Sequence, residues 1–299
     1  MSLLRILPLL LVSVRQEENF QIRTGVDIVL FDTSVSSRTN VPVPNLRATD
    51  FRVFVDNKPA PLIHFAAQDS QVAIAFLVDA SGSMRPLRNI TSAAAQLLFN
   101  LNRQGDEASL IAFADLPKVL IGPVPRPVAQ AKALEEALLE KAAWAGRTSL
   151  YDALLIGIKG LGSATSSRRA LVLFSDGGDN QSKATKAEVV RAIRSQSLTV
   201  YAIALIEQDS PDLDESFLRQ ISSESGGRYF RVTDPATLPI VQKSIAADIR
   251  GRYVLGVNAR PFETAKNAKH SIRIESRDAQ GTKFKILARP NYYSREATQ

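Results

Sequence analysis

Three short stretches gather oxygen-bearing side chains: Asp79-Ala80-Ser81-Gly82-Ser83, Gly146-Arg147-Thr148-Ser149 and Ser175-Asp176-Gly177-Gly178-Asp179. They hold hydroxyls and a few carboxylates, with no histidine or cysteine among them. Magnesium-like cations take oxygen donors at about 2.0–2.1 Å in near-octahedral geometry and give up water reluctantly, so this donor set suits a hard divalent ion. An ion held by few carboxylates is only partly neutralised. A coordination position left to water is then open to a carboxylate from another molecule.

The elements around these stretches place them at one end of a sheet. Val72–Val78 is a run of seven apolar residues that stops at Asp79, which reads as a strand buried on both faces of a parallel sheet. Ligands of such sheets sit outside the carboxyl ends of the strands. The pattern then gives a helix over Leu87–Leu101, strands Ala108–Phe113 and Lys118–Ile121, and helices Val128–Ala143 and Leu150–Leu161. Strand Ala170–Phe174, helix Lys186–Gln196, strand Thr199–Leu205, helix Leu213–Glu224, strand Arg228–Val232 and helix Asp234–Ile249 follow. Thr185 with Glu188 three residues on forms a capping box, and Asp234-Pro235 puts proline at a first helical position. Such alternation implies βαβ units. The expected fold class is α/β, a doubly wound, mostly parallel sheet with helices on both faces, over about residues 70–250.

Both flanks have strand period instead. Before residue 70 the pattern alternates over Thr24–Ser36 and Phe51–Val55, with Asp56-Asn57-Lys58-Pro59 read as a hairpin turn and Leu62–Phe65 as the returning strand. After Gly251, strands are expected at Arg252–Asn258, Ser271–Ser276 and Lys283–Ala288, with a turn at Asp278–Gly281. The division is thus residues 1–15 as a signal peptide or its remnant, a β-module at 16–69, the α/β domain at 70–250, and a second β-module at 251–299, with pairing of the two β-modules as the topology to test.

Composition removes several functions. The chain has no cysteine, which excludes disulfides, thiol catalysis and cysteine-bound zinc. Its net charge of +7 is carried from Arg250 onward, where eleven basic residues face four acidic ones. Their strand-period alternation reads as a solvated β-face; contact of that face with an anionic surface is the alternative. No nucleic-acid partner is expected, and oligomeric state is not addressed by the sequence. Met1–Val14 pairs one arginine with a short apolar stretch, too short to span a bilayer as a helix of ~20 residues, and fits a secretory h-region. Export to the periplasm or beyond is the resulting expectation.

Enzyme readings fit less well. A phosphatase of the haloacid-dehalogenase type resembles DxD at this position, but Ser81 stands where the second aspartate belongs. There is no GxxxxGK[ST] loop for a nucleotide. His64 and His270 lie in expected strands far from each other, which favours packing roles and leaves Ser81 and Ser83 without an activating base. No catalytic residue is assigned. Asp179, Trp144 and Arg147 flank the loops as residues for loop shaping or partner contact, with core packing the competing role for Trp144; Asp152 is read as a helix-surface residue.

Asp79–Ser83 also resembles the DxSxS motif of von Willebrand factor type A domains. Gly146–Ala153 is similar to that family's threonine loop and Phe174–Gly177 to its aspartate loop, in the family's order. The resemblance covers about residues 70–250. It implies a metal-ion-dependent adhesion site holding Mg2+, or Mn2+ or Ca2+. Ser81 and Ser83 would ligate directly, Thr148 directly or through water, and Asp79 and Asp176 mainly through water and hydrogen bonds. It also implies a binding protein whose partner supplies a carboxylate. The flanks, Thr24–Asp27 with Pro42–Phe51 and Tyr253–Gly256 with Arg289–Tyr293, resemble a bacterial subfamily of exported proteins carrying such a domain. A scaffold with a structural metal and a basic β-face is the second reading.

Overall fold

The computed structural model describes residues 27–294 except 40, 68–70, 101, 126–130, 167, 207–213, 263, 264, 266, 267 and 279. The expectations for Met1–Val14 and the rest of 1–26 lie outside the described residues. From edge to edge, the central sheet consists of β10 (Arg228–Val232), β9 (Thr199–Leu205), β8 (Arg168–Ser175), β5 (Val72–Asp79), β6 (Glu107–Phe113) and β7 (Pro117–Pro125). All neighbours pair in parallel except the edge pair β6 and β7, with Phe76 of β5 opposite Leu110 and Val172. Every residue of β5 is buried, as its unbroken apolar run requires.

Strand alternation divides that burial between two helical layers. Val72, Ile74, Phe76 and Val78 pack with α1 (Arg88–Phe99), α2 (Ala131–Lys141) and α6 (Leu238–Arg250) through residues such as Leu98, Leu138 and Ile245. Ala73, Ala75 and Leu77 face α3 (Leu150–Gly162), α4 (Lys186–Ser195) and α5 (Glu215–Glu224) through Leu154, Ile193 and Phe217. Each fully buried Leu, Ile or Phe contributes about 1.5–3 kcal/mol of transfer free energy. Gly157 lets α3 lie close on the sheet: a Cβ there would stand 2.9 Å from Leu77 Cδ1. The Thr185–Glu188 capping box forms as the sequence implies, whereas Asp234-Pro235 opens a short 3-10 turn, Pro235–Thr237, ahead of α6. No helix among the described residues is long and apolar enough to cross a membrane.

The strands at the two ends of the chain pair with each other. One sheet joins β1 (Ile28–Ser36), β4 (Leu62–Ala66), β11 (Arg252–Asn258) and β13 (Lys285–Leu287); the other joins β2 (Phe51–Val55), β3 (Lys58–Ala60), β12 (Lys269–Ser276) and β14 (Asn291–Tyr293). They enclose one core that includes Phe31, Phe51, Val55, Tyr253, Leu255 and Tyr292. The hairpin after Val55 differs from expectation. Its turn is only Asp56-Asn57, both with positive φ, so Lys58–Ala60 is the returning strand with Pro59 on the sheet edge, and Leu62–Ala66 pairs with β11 in the other sheet.

This β-sandwich meets the amino end of the central sheet through buried charge. Arg252 is 1% exposed and donates to Gly226 O (2.7 Å), Asp32 O (2.9 Å), Asp248 Oδ2 (3.0 Å) and Tyr201 Oη (3.1 Å). Tyr201 Oη in turn donates to Asp248 Oδ2 at 2.5 Å. Arg168 pairs with Asp32 at 3.9 Å, Arg250 pairs with Asp106, and the Arg289 guanidinium donates to the last carbonyls around α4. Part of the basic tail is therefore spent inside the fold, which corrects the reading of that charge as one solvated face.

Candidate metal-binding site

At the opposite, carboxyl end of the sheet, the three oxygen-rich loops come together. Ala80 N–H donates to Phe113 O (2.7 Å) and Ala145 N–H to Ala80 O (3.0 Å), which ties the start of the serine loop to β6 and to the threonine loop. A further bond, Gly82 N–H to Gly146 O at 3.1 Å, joins the two loops directly. Gly146 turns there with φ +84, in the left-handed region that favours glycine, and a Cβ at that position would meet the Asp115 carboxylate at 2.5 Å.

Asp79 ends β5 and is fully buried. Its Oδ1 accepts from Ser81 N–H (3.0 Å) and its Oδ2 from Ser175 Oγ–H (2.7 Å). Ser81 Oγ lies 3.1 Å from Ser83 Oγ, and Ser83 Oγ–H donates to Asp176 Oδ2 at 2.6 Å. Asp176 follows the end of β8 and accepts from Gly178 N–H through Oδ1 (3.2 Å). Burial, and then the neighbouring Asp176 charge, push the Asp79 carboxyl up to about 7 against the hydrogen bonds from Ser81 and Ser175. Neither carboxylate has a basic partner among the described residues.

Thr148 is buried beside them and gripped by its backbone. Its N–H donates to Asn180 Oδ1 (2.9 Å), and its C=O accepts from the N–H groups of Asn180 (3.0 Å) and Gln181 (3.1 Å). Among the described residues its hydroxyl makes no hydrogen bond, so it is free for a ligand. The segment carrying Asn180 is itself clamped to the start of α3. Asp179 accepts from Tyr151 N–H (3.0 Å) and Ser182 Oγ–H (2.5 Å), and Asp152 accepts from the N–H groups of Lys183 (3.1 Å) and Ala184 (2.9 Å).

These contacts sort the flanking residues. Asp179 shapes the loop. Asp152, expected as a helix-surface residue, is instead a second clamp. Trp144 lies in the core with φ +47 and donates Nε1–H to Leu138 O (2.8 Å), which leaves it no face for a partner. Arg147 has an exposed side chain, while its N–H donates to Asp115 Oδ1 (2.8 Å). Ser175 was read only as part of the third oxygen-rich stretch, with no role of its own; Asn180 adjoins that stretch and was not singled out, and Asp115 carried no signal. Both histidines belong to the β-sandwich, His64 on β4 and His270 bonded to Asp56 Oδ2 at 2.8 Å, so neither serves this site.

The donor set fits a hard cation. Cis oxygens of an octahedral ion with bonds of about 2.1 Å stand about 3.0 Å apart, and the two serine hydroxyls are 3.1 Å apart. Two carboxylates turned toward one small volume without a cation are costly, and a divalent ion relieves that cost. No group of three or more His, Cys, Asp or Glu is placed to hold a metal ion among the described residues; a donor set of hydroxyls with two carboxylates matches an ion that keeps water rather than a closed cage.

A doubly wound α/β domain with serine, threonine and aspartate loops converging at its carboxyl end defines a class. The chain belongs to the von Willebrand factor type A domain family, whose model matches residues 73–244. Among solved structures, it is similar to a von Willebrand factor type A protein from Catenulispora acidiphila, at 16% identity and TM-score 0.53 over 89% of this chain and 72% of that one. A point mutant of the PilB minor pilin from Streptococcus sanguinis matches at 14% identity and TM-score 0.52, over 61% of this chain and 62% of that one. Proximal thread matrix protein 1 from the mussel byssus, with a zinc-occupied MIDAS motif, matches at 15% identity and TM-score 0.51, over 64% of this chain and 48% of that one. This chain thus spans less than two thirds of the pilin and byssus chains. At these identities the shared property is the fold. No curated protein matches the chain.

Proposed function

We propose that this chain is a metal-dependent protein-binding module. Ser81 and Ser83 hold Mg2+ or Mn2+ directly, with Ca2+ as the remaining candidate, and Thr148, Asp79 and Asp176 complete its surroundings. The observation that carries this reading is the juxtaposition of Ser81 Oγ, Ser83 Oγ and the Asp176 carboxylate at 3.1 and 2.6 Å, beside a fully buried Asp79 that has no cationic partner. Family membership supports an interaction module, and the byssus relative is described with zinc at a site of the same name. When bound, the ion supplies residual positive charge and one exchangeable position, which an acidic group of a protein partner takes. Ser175 and the Ser81 N–H hold Asp79 in place, and Asn180 holds the Thr148 backbone so that its hydroxyl faces the ion.

The reading is non-enzymatic: both histidines lie on the β-sandwich, and among the described residues no histidine or lysine is bonded to either serine. It includes export to the periplasm or cell exterior, and a division in which the terminal strands form one β-domain beside the type A-like domain of about residues 70–250. The alternative, an anionic surface meeting the basic β-face, is weakened by the burial of Arg252 and the internal contacts of Arg250 and Arg289.

Thermal unfolding of the full chain with Mg2+ or Mn2+, beside the Ser81→Ala/Ser83→Ala double variant, tests the proposal. A ligand at 100 times its Kd stabilises the native state by about 2.7 kcal/mol. The parent should melt at higher temperature with either ion and return to its baseline with chelator, while the variant should not respond. A parent with no response would remove the site as described.

A further inference from the structure

The mouth of the site has a chemistry of its own, separate from its metal donors. Asp79, Ser81, Thr148 and Asp176 are buried while Ser83 is exposed, so the site opens at Ser83. Two arginines border this opening. Arg85 follows Ser83 by two residues on the turn that its N–H closes onto Gly82 O (3.3 Å), and Arg147 precedes Thr148 in the loop that Gly82 N–H joins at Gly146 O (3.1 Å). Leu116 adjoins Asp115, whose carboxylate takes the Arg147 N–H at 2.8 Å, and it is 70% exposed.

These two guanidiniums differ from those that the fold neutralises internally. Arg194, Arg219, Arg231, Arg250 and Arg252 each pair with a carboxylate of this chain. Arg85 and Arg147 are exposed, and among the described residues their side chains make no hydrogen bond or ion pair. Asp115, the acid bonded to the Arg147 backbone, already accepts that N–H. A cation bound behind two unpaired arginines adds its charge to theirs, and a concentrated field of one sign selects partners of the other sign.

We infer that the rim of Arg85, Arg147 and Leu116 selects an acidic polypeptide segment in which a second carboxylate, close to the one that reaches the metal, engages the arginines while a neighbouring apolar side chain covers Leu116. This rests on the metal-dependent reading above and names the partner's chemistry. An extended segment advances about 3.3 Å per residue and alternates its faces. Two acids separated by one residue therefore lie on one face about 7 Å apart, a span an arginine side chain beside the metal can bridge.

The test uses two fluorescein-labelled decapeptides that differ at one position, with Leu-Asp-Ala-Asp or Leu-Asp-Ala-Asn at the centre. Their binding to the full chain is read by fluorescence anisotropy, with Mg2+ and with chelator, for the parent and the Arg85→Gln/Arg147→Gln variant. Calorimetry of the metal alone is run on both proteins. The parent should bind the diacid peptide about tenfold more tightly than the monoacid, the product of two modest exposed charge contacts. The variant should lose that preference while keeping its metal affinity and its monoacid affinity within about twofold. Equal binding of the two peptides by the metal-loaded parent, binding of neither, a preference that survives in the variant, or one that persists in chelator would each overturn the inference. Failure of the parent to bind metal at all would instead remove the site on which the inference rests.

Discussion

At the amino end of the central sheet, Arg252 and Asp248 are buried together, and each buried charge faces its opposite within 3.0 Å. At the carboxyl end, Asp79 is buried as deeply, yet the charge nearest to it is another carboxylate, Asp176. Burial pushes the Asp248 carboxyl up, but the Arg252 charge and hydrogen bonds from Tyr201 and Arg252 hold it below the usual range. Burial pushes Asp79 up as well, and there its neighbour adds to the shift. The first cluster is complete within the chain and joins two parts of the fold. The second has no basic partner among the described residues, and in the proposed function a cation from outside supplies it; this imbalance, more than burial itself, is what motivates that proposal.

The largest effect should come from unbalancing the complete cluster. Arg252→Met leaves Asp248 and Tyr201 buried without their partner and should cost about 3–5 kcal/mol, read as a lower midpoint in denaturant. A loss below about 1 kcal/mol would mean that the amino-end charges are not matched as described. The next effect concerns geometry at the other end. Asn180→Ala removes the acceptor of the Thr148 N–H and should weaken metal binding by about tenfold, as losses behind a ligand do, with little change in the metal-free melt. Unchanged metal affinity would mean that Thr148 does not contribute.

The smallest effect separates the clusters by pH. In the metal-free protein Asp79 holds a proton that the unfolded chain has already released, so its contribution to stability is present below the unfolded value near 4 and is lost as pH rises through about 7. Asp248 has the opposite sign: its contribution is present above the unfolded value and is lost as pH falls through its lowered folded value. Metal must displace the Asp79 proton, so apparent metal affinity should climb from pH 5 to 7, by at most about tenfold per unit, and level off above. Calorimetry across that range checks both the direction and the plateau.

Much of this architecture was legible in the sequence because it is written in local pattern. The unbroken apolar run of β5 and the capping box at Thr185 each fix an element from neighbours a few residues away. The convergence of the three oxygen-rich loops was legible because their residue types are unusual at strand ends. Contacts between distant residues were not. Asn180 acts on Thr148 across 32 positions and Ser175 on Asp79 across 96, and nothing local distinguishes an Asn or Ser that does so. The strand Lys58–Ala60 was hidden by its proline, which an edge strand tolerates, and Asn291–Tyr293 by its length of three residues. The basic tail misled in part for the same reason. Strand-period alternation reports which face a side chain takes, and not that Arg252 points into a buried carboxylate 4 residues earlier in the chain.

The contrast between the two ends is tested most directly by one pair of substitutions, Asp79→Asn and Asp248→Asn, compared by denaturant unfolding of the full chain at pH 8 with and without Mg2+. Without metal, Asp248→Asn should be destabilised by several kcal/mol because it strands the Arg252 charge, whereas Asp79→Asn should unfold within about 1 kcal/mol of the parent because the charge it removes had no basic partner. With Mg2+, Asp248→Asn should still be stabilised by the ion and Asp79→Asn should lose that response. Equal destabilisation of the two metal-free variants, or an undiminished Mg2+ response in Asp79→Asn, would contradict the account.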